Sequence, residues 1–159
     1  NGLIKPAQDI LSSHEEIEAL FEYFDALAEE SSLILNKAGE NISFYCDKLH
    51  FRQLLSNLLS NAIRYAPKGS SITVSSEITS VEKVCICVSN TGEKIPSAHL
   101  PYLFDRFYRP DKSRQRHSDG AGLGLAIVKA LAQANSGDVE VSSNNQTTSF
   151  KVFFNLAKS

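Results

Sequence analysis

The chain has 159 residues, 42% of them hydrophobic and 21% charged, with a formal net charge of -2. That length suits one domain with its own core, and the composition is that of a folded globular chain rather than a disordered one. So little net charge argues against a surface built to neutralise a phosphate backbone, and no nucleic-acid partner is expected.

Cys46, Cys85 and Cys87 form an odd set without zinc-type spacing, so free thiols in a reducing, cytoplasmic compartment are expected rather than a disulfide framework. No apolar run reaches the ~20 residues of a membrane span, and the first residues carry no signal-peptide pattern. Any membrane span of a parent protein is expected to lie outside this segment, and the missing initial Met fits an excised piece.

In chain order, residues 1–12 show no clear periodicity. Ser13 and Glu16 have capping-box spacing for a helix running to about Glu30. Ile17, Leu20, Phe21, Phe24 and Leu27 recur at helical spacing and predict its buried stripe. Apolar residues at 33–35 and 42–45 read as strands that pair across a turn at Gly39. Asp47 is placed to cap a second helix ending near Tyr65, with Phe51, Leu54, Leu55, Leu58, Leu59, Ala62 and Ile63 on its apolar face. Pro67 and Gly69 stop it.

Alternation then gives two strands, Ile72, Val74 and Ile78 on one face of the first and Val84, Ile86 and Val88 on one face of the second, joined by a hairpin at 80–83. Residues 90–122 are irregular and partly basic, a length that points to a functional loop or lid. A third helix is expected over residues 123–135 with Gly137 at its end, followed by strands around Val139 and Val141 and from Phe150 to Leu156. The fold class is therefore α+β, a two-layer α/β sandwich of a mixed, mostly antiparallel sheet of about five strands packed on three helices.

Three patterns carry chemistry. Asn57 and Asn61 stand one helical turn apart, and Arg64 and Tyr65 follow a turn later, so all four share one side of the second helix beside its apolar face. Amide oxygens can ligate a hard cation and Arg can meet phosphate, although stray polar residues on a solvated face give the same pattern. Gly120, Gly122 and Gly124 alternate directly before a helix, where backbone N–H groups could approach a phosphate at the positive end of the helix dipole. This is neither the dinucleotide fingerprint nor a P-loop, and a glycine hinge without ligand is the plain alternative.

The third pattern is residues 103–109, Leu-Phe-Asp-Arg-Phe-Tyr-Arg, preceded by Ser-Asn-Thr-Gly-Glu-Lys-Ile-Pro at 89–96. With Arg-Gln-Leu-Leu-Ser-Asn-Leu-Leu-Ser-Asn-Ala-Ile-Arg-Tyr at 52–65 and the glycines at 120–124, these blocks resemble, in order, the asparagine, first glycine, phenylalanine and second glycine boxes of bacterial sensor histidine kinases. The likeness spans nearly the whole chain. Residues 99–109 and 113–116 are most similar to kinases that sense heavy metals of the copper and silver type.

The resemblance implies the two-layer ATP-binding fold shared with gyrase-type ATPases, with ATP and Mg2+ as cofactors. It places magnesium on Asn61, with Asn57 as a second metal ligand, and gives Asn61, Arg64 and Arg109 catalytic roles. Asn57, Tyr65, Asn90, Gly92, Ile95, Arg106, Gly120, Gly122, Leu123 and Gly124 would border the nucleotide along with Asn61 and Arg64, and residues 104–121 would form the lid over ATP. Residues 1–12 would be the remnant of the linker after the dimerisation domain, and residues 13–159 the catalytic domain. Two positions depart from the family pattern: Asn90 stands where an Asp normally accepts from the adenine amino group, and Lys94 replaces the box's second glycine.

The implied reaction is transfer of the γ-phosphoryl group of ATP to a histidine, where positioning and charge neutralisation supply most of the catalysis. None of His14, His50, His99 and His117 has the acceptor context, so the acceptor is expected on the dimerisation and phosphoacceptor domain of the same kinase, with a response regulator downstream. The parent is expected at the inner membrane with this domain in the cytoplasm, making no membrane contact and monomeric in isolation. Two other readings stay open: a gyrase- or chaperone-type ATPase, disfavoured by Asn57 where those enzymes carry a water-activating Glu, and a degenerate nucleotide-binding module, motivated by Asn90 and Lys94. Cys85 and Cys87 fall on one side of a strand and are read as structural thiols rather than a copper site.

Overall fold

A computed structural model describes residues 9–92, 98, 102–105, 121–144 and 146–157, with side chains in the last helix from Gly124 onward. The element order is β1 (Ile10–Ser12), α1 (Ser13–Glu30), β2 (Ile34–Gly39), β3 (Ser43–Tyr45), α2 (Lys48–Tyr65), β4 (Ser71–Ser80), β5 (Lys83–Thr91), α3 (Ala121–Ala134), β6 (Asp138–Ser143) and β7 (Thr147–Leu156). The sheet runs β1-β3-β7-β5-β4-β2, with β6 also on β7. Asn155 pairs with both Lys83 and Tyr45, and Phe153 with both Cys85 and Asp138. One edge of β7 therefore holds β5, and the other holds β6 and then β3 in succession. Among the described residues seven strands thus occupy six positions across the sheet, more than the five or so strands expected, and only β2 with β4 is parallel.

Alternation fixes which face carries the helices. Val74, Val88 and Phe150 form one cross-strand row, and Val84 with Phe154 another, all buried under the helix layer. α2 lies centrally and buries its entire predicted apolar stripe. Phe44, Phe51 and Phe154 meet beneath it with ring centroids 5.0 to 5.7 Å apart, joining β3, α2 and β7 at one point. Edge-on aromatic packing adds to the large apolar area that these rings remove from water. Asp47 caps α2 as expected, accepting from the backbone N–H of His50 at 2.9 Å. Ala66 leaves the helix in an extended conformation, as the residue before Pro67 must.

Four local expectations are overturned. Ser13 and Glu16 do not form a capping box: Ser12 holds the cap position without a side-chain capping bond, its Oγ donating to Asn41 Oδ1 instead. The first N–H groups of α1 are taken by the 41–42 loop, Ser13 donating to the Ile42 carbonyl and His14 to Asn41 Oδ1. Ser13 Oγ instead accepts from Ile42 and meets buried Ser76, while Glu16 turns to Arg52 at 3.0 Å. The segments at 33–35 and 42–45 do not pair with each other; β2 runs parallel to β4, and β3 joins β1 and β7. Leu27 leaves the predicted stripe at 44% exposure and Ala28 replaces it in the core. Ile78 is half exposed because the ladder slips beside it near the hairpin, and Ser76 takes the inward place. Residues 10–12, inside the segment expected as linker, form a strand of the sheet.

α1 and α3 end in the same way. Leu33 donates to the Ala28 carbonyl and Ser32 to Glu29; Gly137 donates to Ala132 and Ser136 to Gln133. Both are Schellman closures, and in each the left-handed position is a serine, Ser32 or Ser136, rather than glycine. Gly137 is required for a different reason, since a Cβ there would lie 2.0 Å from the Phe153 carbonyl oxygen.

Two predictions follow from this packing. Phe51→Ala removes the central ring of the aromatic cluster and should lower unfolding free energy by about 3–5 kcal/mol, read as a lower urea midpoint at unchanged slope. Burial pushes the Cys46 and Cys85 thiols up to about 12, whereas Cys87 is only half-buried. Iodoacetamide at neutral pH should therefore label Cys87 in the native chain and spare the other two until the chain unfolds. By linkage, the two buried thiols favour the fold below about pH 9 and lose that contribution as pH rises from about 9 to about 12.

Candidate functional site

The period of α2 that sends its leucines to the sheet turns a polar row towards α3 and the end of β5. Asn57 and Asn61 are half-buried on this row, and Arg64 and Tyr65 follow it into solvent. Asn57 Nδ2 donates to the carbonyl oxygen of Gly124 at 3.4 Å, tying the middle of α2 to the first turn of α3. Among the described residues a Cβ at Gly124 would meet no atom within 4 Å, so they leave the space over this turn open. The asparagine pair and the third of the alternating glycines are thus neighbours, although more than sixty residues separate them in sequence.

The C-terminal end of α2 meets the end of β5. A Cβ on Gly92 would contact Asn90 Nδ2 at 3.6 Å and the Tyr65 carbonyl at 3.8 Å. Asn90 is buried at 7% exposure and its Nδ2 donates to the Thr91 carbonyl at 2.9 Å, which leaves Oδ1 as the acceptor end of that amide. Gly92 is itself held by its N–H to the Gln146 carbonyl. Further along, Leu103 is buried and Phe104 packs edge-on against Phe150 with centroids 6.1 Å apart, so the start of the phenylalanine block is anchored on the core. The structure therefore brings Asn57, Asn61, Arg64, Tyr65, Asn90, Gly92 and Gly124 to one side of α2. Gly122 and Leu123 lie in the first turn of α3. Lys94, Ile95, Arg106, Arg109 and Gly120, with most of the 104–121 stretch, lie outside the described residues.

Asn135 was read in sequence only as the end of a helix, and it ties both neighbouring elements together. Its Oδ1 accepts from the Asp47 N–H at 2.9 Å, and its Nδ2 donates to the Leu131 carbonyl and faces His50 Nδ1 at 3.1 Å. The N-terminus of α2 is so fastened to the C-terminus of α3, while Asn57 fastens the opposite end of α3. A lone Asn at a helix end gives no signal of this, because the partner backbone is 88 residues away.

The donor set can be tested against a cation. Among the described residues no cluster of three or more His, Cys, Asp or Glu side chains could hold a metal. Neutral amide oxygens beside an open glycine turn suit Mg2+ instead, which keeps several waters and shares its remaining positions with ligand phosphates. Among the described residues no helix is long and apolar enough to cross a membrane.

Comparison with known proteins agrees with this architecture. Over 152 residues the chain is 43% identical to the sensor histidine kinase CusS of Escherichia coli O157:H7, covering 96% of this chain and 31% of that protein. It is 41% identical over 143 residues to the probable sensor kinase SilS of Salmonella typhimurium, covering 88% of this chain and 28% of that one. The chain thus spans about a third of the length of these relatives. Among solved structures, full-length ShkA in complex with AMPPNP superposes with a TM-score of 0.83 at 23% identity, over 98% of this chain and 33% of that one. Residues 46–158 match the histidine kinase-, DNA gyrase B-, and HSP90-like ATPase family, and the chain belongs to that family.

Proposed function

We propose that this chain is the catalytic domain of a heavy-metal-responsive sensor histidine kinase, which binds Mg-ATP along the polar row of α2 and phosphorylates a histidine on the kinase's dimerisation domain. The observation that carries this reading is the Asn57 to Gly124 bond, which sets two amide side chains against an open glycine turn at the start of a helix. Asn61 and Asn57 would hold the magnesium ion through their amide oxygens. The ion, when bound, neutralises charge on the phosphates. The first N–H groups of α3, around Gly122, Leu123 and Gly124, would meet the phosphates together with Gly120 before them in sequence, with Arg64 and Tyr65 at the exposed end of α2.

Asn90 Oδ1 is the acceptor proposed for the adenine amino group, with Gly92 and Ile95 beside it. Arg106 and Arg109 belong to the proposed lid at 104–121, Arg109 steadying the transferring group. Asn57 cannot take a proton from water, so transfer to an imposed acceptor is favoured over hydrolysis. His14 and His50 already bond to Gly39 and Asn135, in keeping with an acceptor on another domain.

The proposal assigns residues 13–159 to the catalytic domain, with β1 stitching the preceding linker onto the sheet. It also includes a response regulator as the downstream partner, a cytoplasmic position beneath an inner-membrane sensor, and a monomeric state for the isolated chain.

Titration calorimetry with a non-hydrolysable ATP analogue is the first test. Asn61→Ala should weaken magnesium-dependent binding about 10- to 100-fold, the loss of one charge-assisted contact of about 1.5–3 kcal/mol; unchanged affinity would remove Asn61 from the site. Asn90→Asp should tighten the same binding several-fold, since a charged acceptor forms the stronger bond, and no gain would place adenine elsewhere. With labelled ATP, the chain alone should release phosphate slowly, yet label the dimerisation domain of its own kinase when that domain is added in trans. Rapid release without labelling would favour a hydrolase.

A further inference from the structure

We propose that the groove between α1 and α2, on the side away from the candidate site, docks a cationic amphipathic helix of a partner protein. Leu20 and Phe24 form its floor, Tyr23 and Leu27 one wall, and Ser56 and Ser60 the other, around a volume of about 630 Å³. Tyr23 is 78% exposed and Leu27 44%, on the same helix whose neighbouring stripe is fully buried. The opposite wall is open because two serines stand one turn apart where larger side chains would fill the trough. An apolar ridge of a helix fits between a wall of large apolar side chains and a wall of small ones. The bond from Arg52 to buried Glu16 closes one end of the groove and holds the two helices at this separation.

Charge selects the occupant. α1 holds seven of the chain's 18 carboxylates and none of its 16 Lys and Arg residues. Glu16 and Glu18 are partnered by Arg52, Lys48 and Lys37. Glu15, Glu22, Asp25, Glu29 and Glu30 are exposed on α1, and of these Glu15 and Glu22 stand one turn from Ala19 of the groove and Glu30 one turn from Leu27. Glu22 with Asp25, and Asp25 with Glu29, are like charges at i,i+3 and i,i+4 spacing, an arrangement that opposes the helix unless opposite charge is brought to it. An apolar stripe flanked by Lys or Arg supplies both what the groove and what its acidic rim lack. A second copy of this chain would bring an equally acidic α1 to the same place and be repelled.

The test uses the ¹⁵N-labelled 159-residue chain and synthetic helical peptides of roughly five turns, about 18 residues. A Leu/Lys amphipathic peptide should shift the amide signals of Tyr23, Leu27, Ser56 and Ser60. The double variant Tyr23→Ser with Leu27→Ser, both exposed and so compatible with the fold, should weaken binding about tenfold or more, as should Glu22→Gln with Glu29→Gln and Glu30→Gln. A Leu/Glu counterpart should not bind. Equal binding by the Leu/Glu peptide or by a Lys peptide with scrambled stripe, shifts that miss the groove, or indifference to the double variant would each overturn the proposal. Concentration-dependent shifts of the same four residues without peptide would assign the groove to a second copy and overturn it as well.

Discussion

Everything at the candidate site depends on the burial of the apolar face of α2. Seven side chains from Phe51 to Ile63 are removed from water against the sheet, and their helical repeat fixes the rotation of α2 about its axis. Once that rotation is set, Asn57 faces α3 and Asn61, one turn on, shares its side of the helix, because both lie beside the leucines on the same cylinder. The hydrophobic effect is non-directional, yet through the helical period it aims two amides. The aromatic cluster of Phe44, Phe51 and Phe154 sets the height of α2 over the sheet, and so of the polar row it carries.

Directional bonds then finish what burial begins. Asn135 and Asp47 secure one end of the α2–α3 pair, Asn57 and Gly124 a second point, and the approach of Gly92 to Tyr65 brings in β5. These contacts join segments that are far apart in sequence; the Asp47 N–H is a donor that a helix start leaves without an internal partner, whereas the Gly124 carbonyl lies in the first turn of α3, where helices leave N–H groups rather than carbonyls unpartnered. The candidate site is therefore assembled where elements begin and end.

That division explains what could be read from the sequence. The stripe of α2, the β4–β5 hairpin and the final strands were legible because each is a local period, and Asp47 because a cap acts across three residues. The asparagine row was legible because one helix displays it. What failed was long-range or competitive. Ser13 has the right spacing for a capping box, but Ile42 and Ser76 offer its hydroxyl buried partners that an isolated helix lacks. β2 skips its neighbour in sequence to run parallel to β4, and no local pattern records that choice. Asn135 is informative only once Asp47 is known to lie beside it.

Asn57 shows how geometry and chemistry can be joined in one side chain. Its Nδ2 donates to a carbonyl oxygen, and only an amide or another donor can do so. An ionised carboxylate at this position would present like partial charge to the Gly124 carbonyl and lose the bond, so the first turn of α3 would no longer be held against α2. An amide has no basicity with which to activate water. The residue that keeps the glycine turn in place is therefore one that cannot serve a hydrolase. On the proposed reading, a gain of hydrolysis by exchanging Asn57 for a carboxylate would also loosen the phosphate-facing turn, so the two properties cannot be altered independently at this position.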